Sequence, residues 1–219
     1  MPAIAKQTVG GKPARRVRDA EATRRRVLDA AEAELARLGL AGARVAVIAA
    51  RAHANKQLIY HYFGSKENLY LAVLERAYGE IREAESRLNV EHLEPAEALK
   101  TLVEFTWNYY LEHPEFLALV NNENLLKAVH LRRSRVIGKI HVPFRARLAA
   151  ILARGVHAGV FRRGVNADQL NLTIAAVGYY YLTNHHTNAI IYQTNLMKPQ
   201  ALARRLAFNV ETVLRMVMK

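Results

Sequence analysis

The chain has 219 residues, 51% apolar and 23% charged, a composition suited to a globular protein of one or two domains with a sizeable core. It has no cysteine, which excludes disulfides and thiolate chemistry. It also has no run of 18 apolar residues and no apolar segment in "MPAIAKQTVGGKPARRVRDAEATRRR", so a cytoplasmic location is expected. The net charge is +13 and uneven: residues 1–66 hold 13 bases and 5 acids (+8), residues 67–219 hold 19 and 14 (+5), which points to a partner with a phosphate backbone or an anionic membrane surface.

Strand signals are nearly absent and helical periodicity runs through the chain, so the expected class is all-α with about nine helices. Residues 1–18 contain "GGKPARR" and no periodic apolar face, and read as a flexible basic arm. A first helix is predicted over 19–38. Val27, Leu28, Ala31, Leu35 and Leu38 share one face, Asp19 is the N-cap, and Gly39 takes the left-handed position that ends the helix. Two short helices follow at 45–51 and 56–62, separated by "AHAN", with Asn55 capping the second. Ser65 caps a longer helix from Lys66 to about Leu88. Two helices of two turns joined by a tight turn form the helix-turn-helix pattern. Beyond Asn89 the helices become long and rich in Ala and Leu, at about 95–112, 115–128, 133–157, 167–187 and 199–218. Pro95, Pro114 and Pro199 lie near helix starts, where a missing N–H costs nothing, and Asn166 and Gln169 have the spacing of a capping box.

The second short helix is two-faced. At 100° per residue from Lys56, Leu58, Ile59, Tyr62 and Phe63 fall between 200° and 340°, while Lys56, Gln57, Tyr60 and His61 fall between 0° and 140°. The first arc packs inward. The second suits a DNA major groove: Gln57 can read an adenine edge, Lys56 a guanine or a phosphate, and Tyr60 and His61 the backbone oxygens. Lys66, beside the free N–H groups of a helix start, adds a phosphate site. A polar surface helix on any helical protein would show the same face.

The local order of residues is more specific. The stretch "RRVLDAAEAELARLGLAGARVAVIAARAHANKQLIYHYFGSKENLYLAVL" resembles the DNA-binding domain of TetR/AcrR-type transcriptional regulators. Ile59-Tyr60-His61-Tyr62-Phe63, then Ser65-Lys66-Glu67 and Leu69, match that family position for position. The resemblance implies that Lys56, Tyr60, Tyr62 and Lys66 touch DNA, chiefly its phosphates. Tyr62 then has its ring packed and its hydroxyl reaching out. His53 stands where the family has Gly in the turn, Arg44 where it has a Ser or Thr cap, and Gln57 where it has a smaller residue. The full candidate DNA-contact set is Arg44, Asn55, Lys56, Gln57, Tyr60, His61, Tyr62 and Lys66.

The segments "HPEFLALVNNENLLKAVHLRRS" and "AAVGYYYLTNHHTNAIIYQTNL" resemble the ligand-binding and dimerisation domain of one branch of the same family. The implied plan is a helix-turn-helix domain at 19–66, a connecting helix at 67–88 and an effector-binding and dimerisation domain at 89–219. The implied dimer helices are 167–187 and 199–218, with the stripe Leu202, Leu206, Val210 and Val213 as the expected interface. Trp107, Tyr110, Phe116, Asn121, Asn124, His141, Phe144, Tyr179, Tyr180 and His185 are the candidate effector pocket, a mixed set able to bury a ring and fix a few polar groups.

An enzyme is not expected. His185 and His186 point about 100° apart on a helix, and the nine histidines show neither His-x-x-x-His nor Glu-x-x-His spacing. No glycine-rich phosphate loop or nucleophile elbow is present, and no metal or cofactor is implied. The expected function is a sequence-specific, homodimeric regulator, a repressor released from a palindromic duplex operator by a small-molecule effector. The alternatives are an effector-independent DNA-binding protein and a helical enzyme acting on an acidic substrate.

Overall fold

The computed structural model describes the backbone from residue 12 and the side chains from residue 19 onward. Among the described residues there are eleven α-helices, a one-turn 3-10 helix and no strand beyond an isolated bridge between Phe161 and Met218. The chain divides into two compact units, Met1–Val73 and Leu74–Lys219.

The first unit holds α1 (Lys12–Gly42), α2 (Val45–Arg51), α3 (Lys56–Phe63) and the start of α4 (Lys66–Ser86). The basic arm expected over 1–18 is corrected in part. Residues 1–11 lie outside the described residues, but from Lys12 the chain is helical. After Pro13, which suits a first turn, the residues are Ala, Arg and Val with no breaker, so nothing opposes helix formation. The helix is interrupted at Gly39 (φ 64, ψ 176), a conformation that only glycine adopts readily, and resumes for one turn to Gly42. Val27, Leu28, Ala31 and Leu35 are buried on the predicted face, as are Ile48 and Ala49 of α2, which packs on α1, and Ile59 and Phe63 of α3, which packs on α2; Leu38 stays 39% exposed.

In the second unit α5 (Pro95–Glu112) is central and packs against α8 (Val142–His157), α9 (Ala167–Thr183) and α11 (Pro199–Val217). Leu99, Leu102 and Val103 of α5 meet Leu148, Ile151 and Leu152 of α8, Leu170 and Ile174 of α9, and Val213 and Val217 of α11. Phe161 is sealed into this core because Gly155 has no side chain: a Cβ there would stand 1.9 Å from the ring. Pro95, Pro114 and Pro199 each open a helix, and Asn166 accepts the Gln169 N–H at 3.0 Å.

Three long predicted helices are shorter or broken. The helix expected over 115–128 is α6 (Pro114–Leu125), since Lys127 and Ala128 both take φ 56. The buried Glu123 carboxylate holds that turn by accepting the N–H groups of His130 (2.8 Å) and Leu131 (3.0 Å). The helix expected over 133–157 is a 3-10 turn (Leu131–Arg133), α7 (Ile137–Ile140) and α8. Ser134 Oγ accepts from Val136 and Ile137, and Pro143 cannot donate into a continuous helix. The helix expected over 167–187 divides at Asn184, whose amide donates to the Tyr180 carbonyl, and continues as α10 (His185–Ile191).

Candidate DNA-reading face and effector cavity

The reading face is built on α3. Asn55 is extended (φ −96, ψ 161) and its side chain accepts the Leu58 N–H at 2.7 Å, while Gly64 (φ 76) ends the helix. Ile59 and Phe63 are buried, and the Arg24 guanidinium lies 5.3 Å from the Phe63 ring centre. With that side anchored, Lys56, Gln57, Tyr60 and His61 stand in solvent, as do Arg44 and Asn55. Tyr62 is half-buried, its ring 5.8 Å from His61 and 6.3 Å from Phe63, which fits a packed ring with a polar tip. Lys66, also half-buried, donates to the Ala41 carbonyl at 3.4 Å and keeps two N–H groups. The turn between α2 and α3 places His53 at φ 50, the left-handed conformation that the missing glycine implies, and Arg44 gives α2 no side-chain cap.

One support of this face was not foreseen. Glu34 is buried yet ion-paired to Arg37 (3.0 Å) and Arg51 (3.4 Å), which ties α1 to α2. The hydrogen bond from Arg37 holds its carboxyl below the ordinary glutamate range, against the opposing effect of burial. Its signal lay in the sequence: Glu34 is seven residues after Val27, an acid inside the apolar stripe of α1.

The second unit contains a cavity of about 420 Å³ lined from α4 to α9. Six of the ten expected residues line it: Tyr110, Phe116, Asn124, His141, Phe144 and Tyr179. The other four are corrected. Trp107 is buried beside Tyr181, their ring centres 5.7 Å apart. Asn121 does not line the cavity but accepts the Tyr179 hydroxyl, and Tyr180 is 60% exposed on another side of α9. The His185 ring bonds the Leu182 carbonyl at 2.6 Å. Tyr78 and Arg82 of α4 and Thr106, Val120 and Asn171 line the cavity without having been expected. Tyr78 and Arg82 lie in the expected connecting helix, and their spacing of four, which puts them on one helix face, is the signal the sequence carries for them.

The wall is aromatic and ordered. Tyr110 lies nearly parallel to Phe116 (centroids 5.9 Å, 20°), Tyr78 meets Phe116 edge-on at 5.4 Å, and Arg82 covers Phe144 at 4.3 Å. Burial pushes Tyr78 and Tyr179 up and Tyr110 up to about 12, so all three phenols keep their protons. Burial also lowers His141, whose Nδ1 bonds the Ile137 carbonyl at 2.8 Å.

Set beside known families, residues 27–73 match the bacterial regulatory proteins of the tetR family, and residues 95–213 match the tetracyclin repressor-like C-terminal domain. This chain belongs to the TetR family. It is 35% identical over 200 residues to the HTH-type transcriptional repressor NicS of Pseudomonas putida, covering 91% of this chain and 94% of that protein. The HTH-type transcriptional repressor SCO4008 of Streptomyces coelicolor is 42% identical over 103 residues, covering 47% of this chain and 50% of that protein. Among solved structures, the regulator SCO4942 from Streptomyces coelicolor shares the fold at TM-score 0.67 and 25% identity, covering 89% of this chain and 98% of that one. A regulator from Saccharomonospora viridis, crystallised with choline, shares it at TM-score 0.71 and 18% identity, covering 91% and 99%. TetR proteins form a class of transcriptional regulators, not of enzymes, and this member is an all-α protein with a helix-turn-helix in its first unit. No helix among its described residues is long and apolar enough to cross a membrane.

Of the stripe expected at the dimer interface, one residue is taken by the core of its own subunit. Val213 is wholly buried in the core of its own subunit, Val210 packs against that core, and Leu202 and Leu206 are half-buried on the same side of α11. The side left open carries Phe208, 58% exposed, with Arg205 beside it at 5.5 Å. An amphipathic stripe on a terminal helix packs on its own core first.

Proposed function

We propose that this TetR-family chain is a repressor that binds a palindromic operator as a homodimer and leaves it when a small molecule fills the cavity of the second unit. The observation that carries the reading is the solvent-facing row Lys56, Gln57, Tyr60 and His61 on a helix anchored from behind by Ile59 and Phe63. In this proposal Gln57 reads a base, Lys56, Tyr60, Tyr62 and Lys66 hold phosphates, and Arg44 and His61 flank them. Asn55 is assigned to the cap, since its side-chain oxygen already serves Leu58. Two copies pair through α9 and α11, with the exposed Phe208 at the contact.

Release requires that the effector bind one conformation more tightly than the other. A coupling of about 1–3 kcal/mol changes operator affinity 5- to 150-fold. The element that supports this link is α4, one continuous helix with Lys66 at its start and Tyr78 and Arg82 in the cavity wall. The experiment is a binding titration on a palindromic duplex at several salt concentrations. With about six phosphate contacts per dimer, affinity should fall on the order of 10³-fold between roughly 50 and 200 mM salt. A flat response would remove the DNA-binding reading.

A further inference from the structure

The cavity wall has a charge pattern that restricts its occupant. Arg82 is its one cationic side chain among the described lining residues, and no carboxylate lines it. The guanidinium is fixed in place over Phe144, and its Nη1 contacts at 2.6 Å the carboxylate of Glu85, which does not itself line the cavity. Glu85 is buried, and burial pushes its carboxyl up to about 7, against the pull of Arg82 and Arg147. Arg82 Nε is buried with no hydrogen-bond partner among the described residues, so the guanidinium keeps donor capacity beyond its pair with Glu85. Arg82 itself stays charged, as a guanidinium does in proteins.

The other polar groups agree with that sign. Three phenols that resist ionisation, Tyr78, Tyr110 and Tyr179, present dipoles and not negative charge to the space. The cavity wall also offers aromatic surface for a flat ring, from Phe116, the near-parallel Tyr110 stacked beside it and Tyr78 edge-on to it. A volume of about 420 Å³ suits a molecule of one or two rings.

Building on the effector reading above, we infer that the molecule recognised by this cavity is a small aromatic anion, its acidic group on Arg82 and its ring among Phe116, Tyr110 and Tyr78. A quaternary ammonium such as the choline held by the Saccharomonospora viridis regulator would meet a cation and no carboxylate here.

Trp107, the single tryptophan, lies near Tyr110 through the gap at Gly178 and serves as the reporter. The full-length dimer is titrated with benzoate, with its neutral analogue benzamide and with choline, following Trp107 fluorescence and isothermal heat, and each probe is also added to an operator-shift assay. Benzoate should saturate and bind at least about tenfold more tightly than benzamide, the scale of one charge-assisted hydrogen bond, and choline should not bind. Arg82→Gln should abolish the preference for benzoate over benzamide, and Arg82→Lys should keep part of it. A preference for benzamide or choline, no saturable response to benzoate, or an unchanged preference in a folded Arg82→Gln protein overturns the inference. Should benzamide or choline displace the operator instead, the effector reading stands and only the anionic character falls. The ligand comparison on the unmutated protein decides the matter even if Arg82→Gln does not fold.

Discussion

Gln57 illustrates how little of a residue's role its side chain alone decides. An exposed glutamine is unremarkable; one held at the second position of a two-turn helix whose opposite side is anchored by Ile59 and Phe63 has a fixed direction in which to reach. Gln57→Ala should relax base preference at one position of each half-site and cost about 1–3 kcal/mol, whereas Lys66→Ala should weaken all sequences alike and lower the salt slope. Selection of binding sites from a random pool separates these outcomes, and an unchanged preferred sequence in Gln57→Ala would remove that residue from base reading. Glu85 gives a second residue-scale test. Its folded pKa of about 7 lies above the ordinary value of 4.5, so the folded protein holds a proton that the unfolded chain gives up. Stability linked to Glu85 is full below the ordinary value and declines as pH rises through about 7. Glu85→Gln should flatten that decline. After allowance for partial solvent screening, its stability relative to the parent should rise by no more than about 2 kcal/mol between pH 5 and pH 8. Urea denaturation at the two pH values measures the difference, and parallel curves would mean that Glu85 does not titrate there.

Short elements depend on their ends. α3 spans only Lys56–Phe63, too short to persist by propensity, so it leans on the Asn55 cap, on Gly64 and on the packing of its inner face. Asn55→Ala should cost about 1 kcal/mol. Operator affinity should drop while the cavity in residues 74–219 still takes up ligand; hydrogen exchange at the Leu58 amide would show the fraying directly. Equal protection there with and without the cap would show that packing alone holds the helix. The longer helices teach a different lesson. Pro143 lay in the middle of an expected helix, and its missing N–H already argued for a start at that point, as α8 confirms. The end of α6 carried no comparable sign, because it is set by a buried Glu123 carboxylate reaching the amides of His130 and Leu131.

At the scale of the whole molecule the two sides of α11 have separate duties. Val213→Glu places a carboxylate in the core of each subunit and should cost several kcal/mol, seen as loss of the thermal transition. Phe208→Glu changes only an exposed position, so the subunit should keep its helical circular dichroism and melt near the parent temperature. If two copies meet at this side, sedimentation should report a monomer near 24.7 kDa that has lost specific operator binding. A Phe208→Glu protein that remains dimeric would place the interface elsewhere.

The sequence by itself determined the helical class, the helix-turn-helix with its cap at Asn55 and its left-handed His53, and the polar outward row on α3. These are local matters, governed by periodicities, caps and turn conformations acting within a few residues of one another. The tertiary structure alone decided that Tyr78 and Arg82 of α4 share a cavity with Tyr110, Phe116 and Phe144, and that Trp107 and His185 do not. It also decided which side of α11 is spent on the core. An amphipathic helix declares that it has an apolar side, but not which neighbour covers it, and a cavity exists only where side chains distant in sequence fail to fill the same space.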